Sequence, residues 1–270
     1  MSNLKSEYLI ALKASIEASN KIMEFYLNGF DTEIKIDGSP VTQADLASSA
    51  IIDSYLSTTG IPITSEETVK IDFEIRKDWS ESWCVDPLDG TKEYVKKNGE
   101  FAVNIALIRD EKPIFGLIAA PVEQRVIFGG IETGVYITTF EEWEDSSKWI
   151  KIDSTLKINS PLMVTCSRSH NSGPILQFLH ELKFLHPEID FIKRGSALKF
   201  FDLALGNADA YPRFAPTMEW DIAAGQAIIE ALGGSVVHAI THQPLCYNKE
   251  NLTNPNFIAR TFALLQEKDA

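Results

Sequence analysis

The chain has 270 residues, 44% hydrophobic and 23% charged, with 38 acids against 25 bases and a formal net charge of −13. That is enough apolar content for one large core or two modest ones. The acidic balance argues against a nucleic-acid polymer held by phosphate neutralisation, yet a small phosphate can still bind where metal ions or a local basic patch reverse the sign.

Residues 1–23 lack the apolar stretch of a signal peptide, and no run of about 18 apolar residues is present to cross a membrane. Cys84, Cys166 and Cys246 are dispersed and odd in number, which suggests core thiols in a reducing compartment and neither a zinc site nor a disulfide framework. Leu4, Tyr8, Ala11, Leu12 and Ile16 recur at helical spacing, so a helix is predicted over 4–27, ended by Gly29. A second helix is expected from Thr42 as N-cap, with Asp45 three residues on in a capping box, running toward Gly60. Strand signals follow at 61–64, 83–85, 101–108, 114–119 and 125–128, read as an antiparallel meander. The acidic, Trp-bearing residues 141–149 look like an exposed connection. Beyond it strands are predicted at 162–166, 190–192 and 235–238, and helices at 171–185, 196–205 and 221–232. The pattern gives an α+β half over 1–150 and an α/β half over 151–270.

The chemistry concentrates in Trp83-Cys84-Val85-Asp86-Pro87-Leu88-Asp89-Gly90-Thr91. An apolar strand delivers Asp86, Pro87 is expected to stop the ladder, and Gly90 permits a tight turn. Asp86, Asp89 and the Leu88 carbonyl then offer hard oxygen donors suited to Mg²⁺ rather than zinc. Thr91 is read as the N-cap of a helix through Tyr94, whose free N–H groups could meet a phosphate oxygen. Taken singly, Asp45 and Asp221 are explained as capping residues and Glu66 as a surface acid.

Ser39-Pro40-Val41-Thr42-Gln43-Ala44-Asp45, Ser65-Glu66-Glu67, Asp86-Pro87-Leu88-Asp89-Gly90-Thr91-Lys92-Glu93-Tyr94 and Trp220-Asp221-Ile222-Ala223-Ala224-Gly225 stand in the order of the signatures of the inositol-monophosphatase superfamily, which the chain resembles over nearly its whole length. The resemblance implies a layered αβαβα sandwich and a phosphomonoesterase using two or three Mg²⁺ ions. It implies that Glu66, Asp86 and the Leu88 carbonyl bind one ion, and Asp86, Asp89 and Asp221 another. It also implies that Asp45 orients the Thr91 hydroxyl and that this pair, with Glu66, holds the attacking water.

Gly195-Ser196-Ala197-Leu198-Lys199-Phe200 and the run from Asp209 to Asp221 resemble the CysQ-type branch, the 3′(2′),5′-bisphosphate nucleotidases. Ala197 and Ala215 depart from that branch, where Ser and Gly are common. The branch implies hydrolysis of adenosine 3′,5′-bisphosphate to AMP in sulfate assimilation, sensitivity to lithium, and a cytoplasmic location with or without peripheral attachment at the inner membrane. Its substrate-binding set would comprise Glu66, Leu88, Asp89, Gly90, Thr91, His170, Ser196, Lys199, Arg213 and Asp221. Lys199 and Arg213 would supply the cations that a second phosphate needs; taken singly, Lys199 is a solvated helix charge and Arg213 a partner of Glu219. The alternatives are an inositol monophosphatase or fructose-1,6-bisphosphatase of the same superfamily, and a phosphate-binding module without turnover. No oligomeric state is read from the sequence.

Overall fold

A computed structural model of the chain describes residues 4–35, 38, 40–166 and 173–267. Helix α1 (Ser6–Asn28) ends where Gly29 takes a φ of 106°. A hairpin of β1 (Thr32–Ile34) and β2 (Pro40–Thr42), not foreseen from the sequence, leads into α2 (Gln43–Leu56). The expected capping box forms there: Thr42 Oγ1 accepts from the Ala44 N–H, and the Asp45 carboxylate accepts from the Thr42 N–H.

Seven strands follow in one sheet, in chain order: β3 (Ile63–Ser65), β4 (Glu81–Asp89), β5 (Ala102–Arg109), β6 (Lys112–Ala120), β7 (Arg125–Gly130), β8 (Gly134–Thr139) and β9 (Ile150–Ile152). Strand β3 runs parallel to β4, and β4 to β9 form the antiparallel meander. Two short helices interrupt it, α3 (Phe73–Arg76) and α4 (Thr91–Val95). The chain then alternates through β10 (Leu162–Cys166), α5 (Pro174–Leu185), β11 (Ile189–Lys193), α6 (Leu198–Ala204), β12 (Ala210–Arg213), α7 (Glu219–Ala231), β13 (Ser235–His238), β14 (Phe257–Arg260) and α8 (Phe262–Gln266). Its five strands make a mixed sheet ordered β11-β10-β12-β14-β13.

Alternation along the strands sorts the core into layers. Trp83, Val85, Val103, Ile105 and Leu107 pack with Tyr8, Leu12 and Ile52 of α1 and α2. Their neighbours Cys84, Ala102, Ala106 and Ile108 face the other way, toward Phe200, Phe201, Ile222 and Ile228 of α6 and α7. The same helical layer meets Tyr211, Val236 and Phe257 of the second sheet. The opposite face of that sheet, including Leu162, Val164 and Ile258, packs with Phe178, Leu182 and Leu264 of α5 and α8. The result is an αβαβα sandwich with both sheets covered on both faces, which is why the strands read as near-continuous apolar runs.

One close contact sets the position of α7. A Cβ added at Gly116 of β6 would stand 2.1 Å from the Ala224 carbonyl oxygen, so only glycine lets the helix lie directly on the sheet. That contact brings the first turn of α7, with Asp221, to the end of β4.

Candidate active site

In an unbroken strand, residues three apart point to opposite faces. The carboxylates of Asp86 and Asp89 nevertheless converge, because the β4–β5 register slips between the pairs Asp86↔Asn104 and Asp89↔Ala102. This bulge restores a common direction. Pro87 sits inside it, where no ladder donor is required. The expectation that Pro87 ends the strand is therefore corrected: β4 continues to Asp89. Helix α2 braces the bulge, since Ser48 Oγ donates to the Pro87 carbonyl at 2.6 Å.

Gly90 then takes φ 95° and is itself the N-cap of α4, so Thr91 is the first helical residue and not the cap. Asp221 is likewise not an N-cap. Met218 holds that position, and Asp221 reaches back from the first turn to accept the Met218 N–H at 2.9 Å.

Carboxylate oxygens of Asp86, Asp89 and Asp221 lie within 4.8 Å of one another. Burial first, then the neighbouring acids Glu66, Asp89 and Asp221, push Asp86 far above the usual carboxylate range. Burial and Asp89 push Asp221 up to about 8. Such a cluster is under mutual repulsion that a bound cation would relieve. Its hard, all-oxygen donor set fits a metal of the Mg²⁺ type.

Glu66 follows β3 and lines the same cavity of about 180 Å³ with Asp86, Leu88, Asp89, Thr91 and Asp221. It stands outside the tight group of three, and its Oε1 accepts from Lys35 Nζ at 3.0 Å; Lys35 also bonds Glu67 at 2.5 Å. Burial raises Glu66 and Lys35 opposes the rise. Asp45 lies beside the cavity. Its Oδ1 accepts the Thr91 hydroxyl at 2.9 Å, and its Oδ2 accepts the N–H and hydroxyl of Thr42 at 2.8 and 2.6 Å. Burial raises its proton affinity against those donors.

A second cavity of about 330 Å³ shares Asp89, Gly90, Lys92, Glu93 and Asp221 with the first, and extends to Ser196, Lys199, Tyr211 and Arg213. The two form one cleft, acidic at one end and cationic at the other. Arg213 is not paired with Glu219, whose carboxylate is held by Lys249 at 2.5 Å. Among the described residues, Arg213 makes a single 3.5 Å contact, to the Pro216 carbonyl, and its Nε is buried without a hydrogen-bond partner. Nor is Lys199 a solvated helix charge: it is only 4% exposed, with its ammonium on the Ser196 and Arg194 carbonyls at 2.5 and 3.3 Å and 5.2 Å from the Tyr211 ring centroid. Burial lowers it to about 8, against the pull of Asp89. Ser196 Oγ is buried without a hydrogen-bond partner among the described residues. His170 lies outside the described residues.

The sequence reading passed over several residues of this cleft. Lys92 and Glu93 sit inside a segment it singled out, but nothing in that segment tells which of its side chains line the cleft. Tyr211 likewise falls inside a quoted run without being singled out, and Lys35, which reaches Glu66 at the edge of the acidic cavity, carries no local signal. Asn104, whose Nδ2 donates to Asp89 at 3.2 Å, reads from sequence as one polar residue in an apolar strand.

The model of the inositol monophosphatase family matches residues 3–269. A relative from Shigella flexneri, the 3′(2′),5′-bisphosphate nucleotidase CysQ, is 40% identical over 245 residues, covering 89% of this chain and 94% of its own. Its counterpart from Escherichia coli K12 is 39% identical over the same coverage. The crystal structure of CysQ from Bacteroides thetaiotaomicron, a bacterial member of the inositol monophosphatase family, superposes with a TM-score of 0.83 at 37% identity, over 96% of this chain and 98% of that one.

Proposed function

The chain belongs to the inositol monophosphatase family, and on that premise we propose that it is a Mg²⁺-dependent 3′(2′),5′-bisphosphate nucleotidase that hydrolyses adenosine 3′,5′-bisphosphate to AMP and inorganic phosphate. The observation that carries the reading is the cleft that joins the Asp86–Asp89–Asp221 cluster to Arg213, which has no ion-pair partner among the described residues. One end suits the phosphate to be cleaved and the other a phosphate to be held. A substrate with two phosphates uses both.

Asp86, Asp89 and Asp221, with Glu66 and the Leu88 carbonyl, would hold two or three Mg²⁺ ions. Bound there, the ions supply the positive charge that activates water and stabilises the departing oxygen. The chain's own residues do the rest. Thr91 gives its hydroxyl proton to the Asp45 hydrogen bond, which leaves its lone pairs to accept from the attacking water. Asp45, raised by burial, is suited to take up the proton that leaves that water. Water oxygen bonds to phosphorus, the bond from phosphorus to the 3′ oxygen breaks, and that oxygen gains a proton. Arg213 would grip the 5′-phosphate as a fork, and Ser196 Oγ would donate beside it. Asp89 and Gly90 line both ends of the cleft, and Thr91 the acidic end. His170 belongs to the proposed substrate set through the family resemblance alone. The same proposal places the enzyme in the cytoplasm, with or without peripheral attachment at the inner membrane, as the family resemblance implies.

The test is phosphate release from adenosine 3′,5′-bisphosphate, inositol 1-phosphate and fructose 1,6-bisphosphate, each with Mg²⁺ and with EDTA. The reading requires Mg²⁺-dependent release that favours the nucleotide. Preference for either sugar phosphate would replace it with another activity of the same family.

A further inference from the structure

The backbone that carries Glu66 leaves the sheet at that residue. Strand β3 pairs with β4 as far as Ser65↔Val85, and the Glu66 N–H then donates to the Val85 carbonyl at 3.1 Å, one residue before Asp86. Beyond that bond the chain turns, and the carbonyls of Ser65, Glu66 and Thr68 converge on one place. Lys70 fills it: its ammonium donates to all three, at 2.5, 2.7 and 2.9 Å. Converging carbonyl dipoles repel one another unless a cation sits among them, so Lys70 is the internal cation of this turn. The same nitrogen stands 4.8 Å from the ring centroid of Trp220, the residue before Asp221 in the first turn of α7. The far end of the loop is fixed separately, where Arg76 Nε donates to the Ile71 carbonyl at 2.9 Å and Arg76 Nη1 to Asn248 Oδ1 at 2.7 Å.

We propose that Lys70 is a positioning residue: it gathers the carbonyls of the 65–68 turn and rests against Trp220, so that Glu66 is held at the acidic cavity in register with Asp221. An ammonium has three N–H groups, and all of them are committed to the turn, so Lys70 acts on the reaction through Glu66. Lys35 differs in kind. It bonds the Glu66 carboxylate itself at 3.0 Å, a contact with which a metal ion would compete, whereas Lys70 bonds the backbone and leaves the carboxylate to the metal. The inference rests on reading Glu66 as a metal ligand in a phosphatase.

The experiment replaces Lys70 by Met, which keeps the length of the side chain and removes its charge, by Gln as a second variant, and by Arg as the conservative one. Binding of Mn²⁺ to the substrate-free protein is followed by calorimetry, and the rate on adenosine 3′,5′-bisphosphate is measured as Mg²⁺ is raised. Loss of a group that orients a metal ligand costs about ten- to a hundredfold in metal affinity or activity. Lys70→Met and Lys70→Gln should therefore bind Mn²⁺ about tenfold more weakly and need about tenfold more Mg²⁺ for half-maximal rate, with kcat recovered at saturating Mg²⁺. Lys70→Arg should bind Mn²⁺ within about twofold of the wild type, because a guanidinium offers more donors and stacks on an indole ring. In a Glu66→Gln background Lys70→Met should add little, since the turn then has no carboxylate to present. Unchanged Mn²⁺ binding in Lys70→Met and Lys70→Gln, or a loss of full size in the Glu66→Gln background, overturns the inference. Loss of the fold in both variants overturns it too, by making Lys70 a structural residue. Failure of the wild-type protein to release phosphate from the nucleotide would overturn the functional reading instead, and the Mn²⁺ comparison would still decide the role of Lys70. A wild-type protein that binds no Mn²⁺ would overturn both.

Discussion

Thr91 Oγ1 donates to Asp45 Oδ1 at 2.9 Å, joining the first residue of α4 to the first turn of α2. The other Asp45 oxygen is saturated by Thr42, so the carboxylate has a fixed orientation before any substrate arrives. If this pair takes the proton from water, Asp45→Asn should lower kcat by about a hundredfold and leave KM nearly unchanged. The capping box is weakened as well, so a stability loss of ~1 kcal/mol should accompany it. Steady-state kinetics with a denaturation curve on the same preparation checks both. A variant that keeps its kcat would remove Asp45 from the chemistry.

Asp86 separates function from stability. It is buried in an apolar strand beside Glu66, Asp89 and Asp221, all of which disfavour its charge. Asp86→Asn should nearly abolish turnover in saturating Mg²⁺. In EDTA the same variant should melt no lower than the wild type, because the substitution removes repulsion. Wild-type turnover by a folded Asp86→Asn protein would contradict the metal assignment.

The pH dependence of the metal-free protein follows from the same acids. A carboxyl whose folded pKa is raised contributes stability below its unfolded value and loses it as pH rises through the folded one. For Asp221 that window runs from the ordinary carboxylate range to about 8, and Asp86, Glu66 and Asp45 act in the same direction. Melting in EDTA should therefore fall between about pH 5 and about pH 8. Mg²⁺ should restore more at the upper end. Asp221→Asn should flatten the fall, and an unaltered slope in that variant would show that other groups set it.

How much of this was legible in the sequence depended on how local each cause is. The capping box at Thr42 and Asp45 is written in residues three apart, and it formed as read. Apolar runs gave β4 to β7 of the meander but not β8 and β9, and the acidic cluster came together from segments distant in the chain. Pro87 misled because a missing N–H normally ends a ladder, and only the partner strand shows that a bulge makes the donor unnecessary. Lys199 misled for a different reason. Helix α6 is enclosed on every side, so periodicity carries no hint that its lysine is buried. The short strands β1, β2, β12 and β14 are three or four residues long, too brief for alternation to stand out.

Arg213 should set substrate choice. A charge-assisted contact is worth roughly 1.5–3 kcal/mol, so Arg213→Ala should cost about ten- to a hundredfold in kcat/KM on adenosine 3′,5′-bisphosphate. On 3′-AMP, which offers no second phosphate, it should cost little. Equal losses on both would make Arg213 structural, although Glu219 is already committed to Lys249.

The most direct measurement is the product formed from adenosine 3′,5′-bisphosphate, followed by ³¹P NMR with purified protein in Mg²⁺. If the acidic cluster cleaves one phosphate while Arg213 holds the other, the 3′ resonance disappears and inorganic phosphate and 5′-AMP grow in together. Accumulation of 3′-AMP, or an unchanged spectrum in the presence of Mg²⁺, would contradict the account.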